Sequence, residues 1–262
     1  MDKETVLHDI LRSLGKNGLT IAFSGGTDSV FLLNAAVNVL GKEKVKAVFI
    51  KSELTDSSEA KQAQQIAQKF NVPFEILHLN VLNEIRFNPI SRCYLCKKKM
   101  FSELLKTNEI IADGTNADDL NAFRPGLQAL KELKINSPLA EAGLTKSQIR
   151  QLSEKYSLPN AKKPSAPCLA TRFVYGEEIN ADLLEKIAKA EDFLKNEGFS
   201  SLRLRRHKNI LRLELLPADF ERFLKNAQSY AQKLKILTNA DYVTLDAEGL
   251  RSGSMDLPTQ PS

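Results

Sequence analysis

The chain has 262 residues, 42% of them hydrophobic and 26% charged, which is long enough for one large or two modest domains with real cores. Its 37 Lys and Arg against 32 Asp and Glu leave a formal charge of +5, which suits anionic ligands in general but is too small an excess to single out nucleic acid. No apolar run approaches the ~20 residues that span a bilayer, and the first residues lack the basic-then-apolar pattern of a secretory leader, so a cytoplasmic protein with no membrane partner is expected.

In chain order, the run Leu19 to Phe23 reads as a strand and leads into Ser24-Gly25-Gly26-Thr27-Asp28-Ser29, after which a helical pattern covers 28 to 40. Two glycines allow a sharp turn that brings backbone N–H groups near an anion, and the hydroxyls of Ser24, Thr27 and Ser29 add donors at the positive end of the helix. The same string is also compatible with an ordinary capped strand-to-helix turn. Further strands are expected at 45–50, 74–79 and 109–113, separated by helices at 57–70 and 95–107. This alternation predicts a doubly wound, mostly parallel α/β sheet with ligands at the carboxyl ends of its strands. A helix at 145–156 precedes the segment 158–167, whose three prolines mark a loop or linker. Beyond it come a helix at 180–197, strands at 201–206 and 210–216, a helix from 217 and a strand at 242–246. That order describes a smaller α+β domain, and the boundary is placed near 170, giving domains 1–170 and 171–262. Pro258 to Ser262 read as a loose tail.

Only three cysteines occur, Cys93, Cys96 and Cys168, a CxxC pair and one distant partner. In a reduced compartment a structural disulfide is not expected. Three thiols are one short of a four-thiolate zinc site, and His8, His78 and His207 have no finger spacing to supply the fourth ligand. Three thiolates do suit a 4Fe-4S cluster with one iron left open, although buried cysteines can equally serve as small apolar residues. Lys97, Lys98 and Lys99 at the start of the helix after the CxxC would favour the thiolate form, or simply form a solvated face.

Leu202-Arg203-Leu204-Arg205 alternates as a strand does and places two arginines on one face, where their planar forks could take a phosphate or merely mark a solvent-facing edge. Arg251 is a further phosphate candidate. The acidic string Asp113 to Asp119 follows a strand end, a usual position for ligands, while Asn116 or Asp118 also suits the cap of a short helix. Glu191 receives no role.

The loop string resembles the SGGxDS signature of the PP-loop ATP pyrophosphatases, and no Gly-Lys-Ser/Thr follows it as in a Walker loop. Together with Ser91-Arg92-Cys93-Tyr94-Leu95-Cys96-Lys97, Asp113-Gly114-Thr115-Asn116-Ala117-Asp118-Asp119, Arg124-Pro125-Gly126, Lys163 to Arg172 (KPSAPCLATR) and Arg251-Ser252-Gly253-Ser254-Met255, it resembles the LarE family from about residue 20 to 255. Those are ATP-dependent sulfur transferases that make the organic ligand of the lactate racemase nickel-pincer cofactor.

The resemblance implies that Ser24, Gly25, Gly26, Asp28 and Ser29 embrace pyrophosphate and that Asp28 helps hold a magnesium ion. It implies a small-molecule substrate, pyridinium-3,5-biscarboxylic acid mononucleotide, whose phosphate falls to Arg203, Arg205 and Arg251. It also implies a homo-oligomer, commonly a hexamer, whose interface would lie with the C-terminal domain. Two sulfur routes are known in the family. In one, the cysteine matching Cys168 attacks the adenylated carboxylate and surrenders its own sulfur. In the other, that cysteine joins a CxxC pair to hold a 4Fe-4S cluster that takes sulfide from inorganic sulfide or another donor. The presence of Cys93 and Cys96 favours the second route. A cluster-dependent tRNA thiolase is the rival reading, but the expected RNA-binding surface is not visible here. A PP-loop ligase using ammonia is a further rival that would leave the three cysteines unexplained.

Overall fold

The computed structural model describes residues 2–55, 58–108, 110–120, 125–161, 167–251 and 254–255. The chain divides into two compact units, Met1–Glu84 with Ser91–Ala166, and Ile85–Ile90 with Pro167–Ser262. Cys93 and Cys96 therefore belong to the first unit and Cys168 to the second.

The first unit begins with α1 (Lys3–Leu14), β1 (Leu19–Ala22), α2 (Thr27–Leu40), β2 (Val45–Lys51), α3 (Glu59–Lys69) and β3 (Phe74–His78). It continues with α4 (Arg92–Leu105), β4 (Ile111–Ala112), α5 (Ala117–Leu120), α6 (Pro125–Glu132), α7 (Pro138–Glu141) and α8 (Lys146–Lys155). The strands form one parallel sheet in the order β3-β2-β1-β4. Successive side chains on a strand point to opposite faces, and β2 shows the result directly. Val45, Ala47 and Phe49 join a core built with Leu7 and Leu11 of α1, Phe31, Leu32 and Leu33 of α2, Ala63 and Ile66 of α3, and Ile149 of α8. Val48 turns the other way, into a second core with Phe101 and Leu104 of α4, Ile111, and Leu130 of α6. Helices on both faces are what make the strands near-continuously apolar and the sheet doubly wound, as expected. The chain turns from β1 towards β2 on one side and reaches β4 on the other, so a topological switch lies at the carboxyl end of β1.

The second unit contains α9 (Ala181–Asn196), β5 (Leu202–His207), β6 (Ile210–Leu215), α10 (Phe220–Lys225), α11 (Ala227–Thr238) and β7 (Tyr242–Leu245). Its sheet runs β5-β6-β7, with β5 antiparallel and β7 parallel to β6. Leu184, Ile187, Ala190 and Leu194 form the buried stripe of α9, and Glu191 lies buried among them. Phe193, Phe199, Phe223 and Tyr230 pack ring against ring with centroids 5.5–6.1 Å apart. The segment Ile85–Ile90 is tied to this unit by Asn88, whose Nδ2 donates to the carbonyls of Phe173 and Val174 at 2.9 Å each. Among the described residues no helix is long and apolar enough to cross a membrane.

Candidate active site

The loop after β1 sits at the switch point of the sheet. Gly25 turns it with φ +70°, and a Cβ there would lie 3.3 Å from both Cα and Cβ of Ala63, so both the conformation and the close approach to α3 require glycine. Ser24 Oγ accepts from the Gly26 N–H at 3.3 Å and lies 3.2 Å from Ser29 Oγ, which donates to the Gly26 carbonyl at 3.1 Å. Gly26 is the N-cap of α2 and provides no side-chain cap. Uncapped N–H groups at a helix start are the donors an anion uses.

Asn160 braces the turn: its Nδ2 donates to the Gly25 carbonyl at 2.6 Å, and its own carbonyl accepts from Thr27 Oγ1 at 2.8 Å. A cleft of about 610 Å³ lined by α3 residues, Pro159 and Asn160 meets these contacts only at Asn160.

Asp28 has two differently situated oxygens. Oδ2 receives the ammonium of Lys146 at 2.5 Å, whereas Oδ1 is buried and has no hydrogen-bond partner among the described residues. An orphaned carboxylate oxygen beside helix N–H groups fits a magnesium ion bound through one carboxylate and phosphate oxygens.

The loop after β4 closes the other side. A Cβ on Gly114 would lie 3.1 Å from the Ser29 nitrogen, so this loop lies directly against the first turn of α2. Asp113 is buried and accepts from Ser137 Oγ at 2.7 Å and Thr115 Oγ1 at 2.6 Å. Asn116 caps α5 through its Oδ1, which accepts from the N–H groups of Asp118 and Asp119. Asp118 Oδ2 in turn accepts from the backbone N–H of Lys146 at 2.8 Å.

Cys93 and Cys96 occupy the first turns of α4, three residues apart and so on one flank of the helix. Cys93 is exposed and Cys96 half-buried. The turn is closely packed, since a Cβ on Gly126 would lie 3.4 Å from the Cys93 carbonyl oxygen and 2.9 Å from Lys97 Cδ. Each of the three following lysines has an acidic partner: Lys97 with Asp113 at 3.8 Å, Lys98 with Glu132 at 3.0 Å and Lys99 with Glu103 at 3.2 Å. Donating to Tyr94 and Glu132 raises the pKa of Lys98, and accepting from Tyr94, Lys98 and Gln128 lowers that of Glu132.

In the second unit Cys168 is exposed and heads a short 3₁₀ turn, Leu169–Arg172; its carbonyl accepts from the Thr171 N–H at 3.0 Å. Behind it Arg172 donates through Nε and Nη2 to the two oxygens of Glu191 at 2.8 and 3.0 Å. Burial works against the Arg172 charge, but the Glu191 hydrogen bonds and charge outweigh it, and its pKa is raised. Glu191 also accepts from the Leu204 N–H at 2.9 Å, which ties α9 to β5.

The two strand arginines differ. Arg205 is sealed in, forked onto Glu214 at 3.2 and 3.1 Å and donating to the Thr171 carbonyl and Ser254 Oγ. Arg203 is half-buried, donates to the Arg251 carbonyl at 3.0 Å, and has no carboxylate partner among the described residues. Burial and the neighbouring Arg172 charge lower its pKa. Arg251 pairs with Asp246 and Glu248, and Arg212 with Glu214 and Asp246.

Within neither unit does any group of three His, Cys, Asp or Glu side chains gather as a metal site among the described residues. Cys93 and Cys96 share a flank of α4 in the first unit, and Cys168 belongs to the second. Arg124, Lys163 to Ala166 and Ser252-Gly253 of the sequence strings lie outside the described residues. Sequence reasoning passed over Lys146, Asn160 and Glu214. Glu214 shares a face of β6 with Arg212, opposite Leu211, Leu213 and Leu215, and Asn160 lies in a Pro-Asn turn, but nothing local marks Lys146.

A family model described as a PP-loop domain matches residues 1–123. An uncharacterized protein of Synechocystis is 37% identical over 246 residues, which covers 90% of this chain and 91% of its own length. The pyridinium-3,5-bisthiocarboxylic acid mononucleotide synthase of Lactiplantibacillus plantarum is 34% identical over 264 residues, covering 97% of this chain and 94% of that protein. A glutamine-dependent NAD(+) synthetase of Aquifex aeolicus shares 29% identity over 86 residues, 33% of this chain and 15% of that protein. The last similarity is confined to a third of the chain, whereas the synthase matches across both units. With the glycine turn, the orphaned Asp28 oxygen and this near-complete similarity together, the chain belongs to the LarE family of ATP-dependent sulfur-transferring enzymes on the PP-loop fold.

Proposed function

We propose that the protein inserts sulfur into both carboxylates of pyridinium-3,5-biscarboxylic acid mononucleotide, forming the bisthiocarboxylic acid of nickel-pincer cofactor synthesis. The observation that carries this reading is the 34% identity over 97% of the chain to a synthase of that product. A carboxylate oxygen is a poor leaving group. Attack of that oxygen on the α-phosphorus of ATP expels pyrophosphate and leaves an acyl adenylate; sulfur then adds to the carbonyl carbon and AMP departs with the oxygen. Ser24, Gly25, Gly26 and Ser29 bind the pyrophosphate portion, and Asp28 presents Oδ1 to magnesium.

Arg203 recognises the mononucleotide phosphate. Its charge is half-buried with no carboxylate in ion-pair contact among the described residues, so an incoming dianion would offset both the desolvation and the repulsion from Arg172. Arg205 and Arg251 shape that site from their ion pairs. Cys93, Cys96 and Cys168 hold a 4Fe-4S cluster, which supplies an iron site able to carry sulfide; no fourth cysteine exists to close it. The second unit, with Arg203 and Cys168, serves as the substrate-phosphate-binding and oligomerisation domain, and the protein acts in the cytoplasm.

The test is anaerobic reconstitution followed by reaction with ATP, magnesium, the biscarboxylic mononucleotide and excess sulfide. Formation of AMP, pyrophosphate and the bisthiocarboxylic acid supports the reading. Sulfur transfer to copurifying small RNA, with none to the mononucleotide, would replace it with a tRNA thiolase.

A further inference from the structure

We propose that Asn88 is a positioning residue for sulfur transfer, holding closed the turn that presents Cys168; this rests on the proposed acyl-adenylate chemistry, and both sulfur routes draw on that thiol. Asn88 is fully buried, and its backbone lies in the left-handed region at φ +42°, where asparagine is among the few residues other than glycine that settle readily. Its Nδ2 donates at 2.9 Å to the carbonyls of both Phe173 and Val174. Those residues follow directly on the 3₁₀ turn Leu169–Arg172 that Cys168 heads. The Phe173 N–H closes the turn on the Ala170 carbonyl at 3.3 Å, and Phe173 bridges to Arg206 of β5. At the opposite end Arg172 Nη1 donates to the Pro167 carbonyl at 3.0 Å, and Thr171 Oγ1 to that of Cys168 at 2.8 Å. The main chain beside the exposed thiol is therefore fixed from both sides, and Asn88 supplies its hold from a segment remote in sequence.

Backbone bonds also tie that segment down, from the Gly176 N–H to the Asn88 carbonyl at 3.2 Å and from the Ile179 N–H to the Arg86 carbonyl at 2.7 Å. They act further along the chain, whereas the bonds nearest the Cys168 turn come from the Asn88 side chain. Sulfur must meet the activated carbonyl carbon at near-contact distance, and a displacement of about 1 Å can cost about 100-fold in rate. Adenylation belongs to the glycine loop, whose hydrogen bonds lie within the first unit, while Asn88 belongs to the second. Loss of the carboxamide should therefore slow sulfur transfer and spare adenylation.

The experiment compares the full chain with Asn88→Gly, which keeps the left-handed backbone and removes the carboxamide, and with Arg86→Ala, which removes an exposed ion pair to Glu178 on the same segment. Below the melting transition of each, mononucleotide-dependent ATP–pyrophosphate exchange, the kcat of thiocarboxylate formation and amide hydrogen exchange are measured. Asn88→Gly should lower the thiolation kcat about 10- to 100-fold and keep pyrophosphate exchange within about twofold. It should also speed hydrogen exchange at the Thr171 and Phe173 amides but not at Leu204. Arg86→Ala should match the unsubstituted chain. Equal falls in pyrophosphate exchange and thiolation, an unchanged thiolation rate, or an Asn88→Gly chain that does not fold would overturn the proposal, as would the same loss in Arg86→Ala. Absence of mononucleotide-dependent pyrophosphate exchange in the unsubstituted chain would instead refute the adenylation reading beneath it.

Discussion

At Gly25 the chain adopts a left-handed conformation against the backbone of Ala63, and two independent costs fall on any side chain placed there. Gly25→Ala should lose about 1–2 kcal/mol of stability from the backbone alone and should also widen the turn that aims the N–H groups. Urea unfolding and AMP formation measured together would show both losses; a variant that keeps full ATP cleavage would remove the turn from the site. Asp28→Ala and Ser29→Ala differ in that their backbone is already helical, so the fold should survive while AMP formation ceases. Normal cleavage in both would refute the assignment.

His207 offers a test that involves no ligand. Its Nε2 is buried without a hydrogen-bond partner among the described residues. Burial, then the Arg212 and Arg205 charges, hold its pKa below the ordinary histidine range, with Glu177 and Glu214 acting in the opposite sense. The unfolded chain therefore takes up the proton first as pH falls. The neutral ring's contribution is complete above about 6.5 and is lost as pH drops below that value towards the lower folded pKa. Denaturant midpoints should accordingly fall on acidification in that window, and His207→Gln should flatten the profile. Parallel profiles would show that His207 titrates alike in both states.

At the scale of elements, alternation in β5 correctly puts Arg203 and Arg205 on one face, but it carries no information on which of them is covered. The covering group is Glu214 on β6, whose Cα pairs with Arg203 in the register while its carboxylate reaches Arg205. Two neighbouring arginines thus have different surroundings. Arg203→Ala should weaken the phosphorylated substrate about 10- to 100-fold and leave a dephosphorylated analogue unaffected, since a charge-assisted bond contributes roughly 1.5–3 kcal/mol. Arg205→Ala takes from Glu214, which is fully buried, its forked partner and leaves it Arg212, and should destabilise the unit by about 1.5–3 kcal/mol. Binding and melting measurements separate the two; a large melting loss for Arg203→Ala with no phosphate dependence would reverse the assignment. The periodic elements were legible for the same reason that this pairing was not: β2 and α9 show their burial in their own spacing, whereas an ion pair depends on a strand that contributes nothing to the local pattern. Helix α1 was legible too, since Val6, Leu7, Ile10, Leu11 and Leu14 form a helical stripe that the sequence reading passed over.

For the whole molecule, a contiguous cut near 170 could not anticipate that Ile85–Ile90 joins the second unit, because Asn88 reaches the carbonyls of Phe173 and Val174 across a separation of more than eighty residues. The same division splits the cysteines, with the CxxC in one unit and Cys168 in the other. That arrangement gives the two sulfur routes opposite requirements. A sacrificial donor needs only the exposed thiol of Cys168, and the first unit would contribute ATP chemistry alone. A cluster needs all three thiolates, so each unit is individually incompetent. Under the cluster route, reconstituted protein should hold about four irons, with one iron position left for sulfide. Cys93→Ala, Cys96→Ala and Cys168→Ala should each lose iron and stop thiolation, while the unsubstituted enzyme turns over repeatedly with excess sulfide and keeps the Cys168 sulfur. Iron-free protein that works once, with competent Cys93→Ala and Cys96→Ala variants and Cys168 converted to dehydroalanine on intact-mass analysis, would overturn the cluster. It would leave the proposed ATP chemistry of the glycine loop standing, because the hydrogen bonds that define that loop join Ser24, Gly26, Asp28, Ser29 and Lys146 within the first unit.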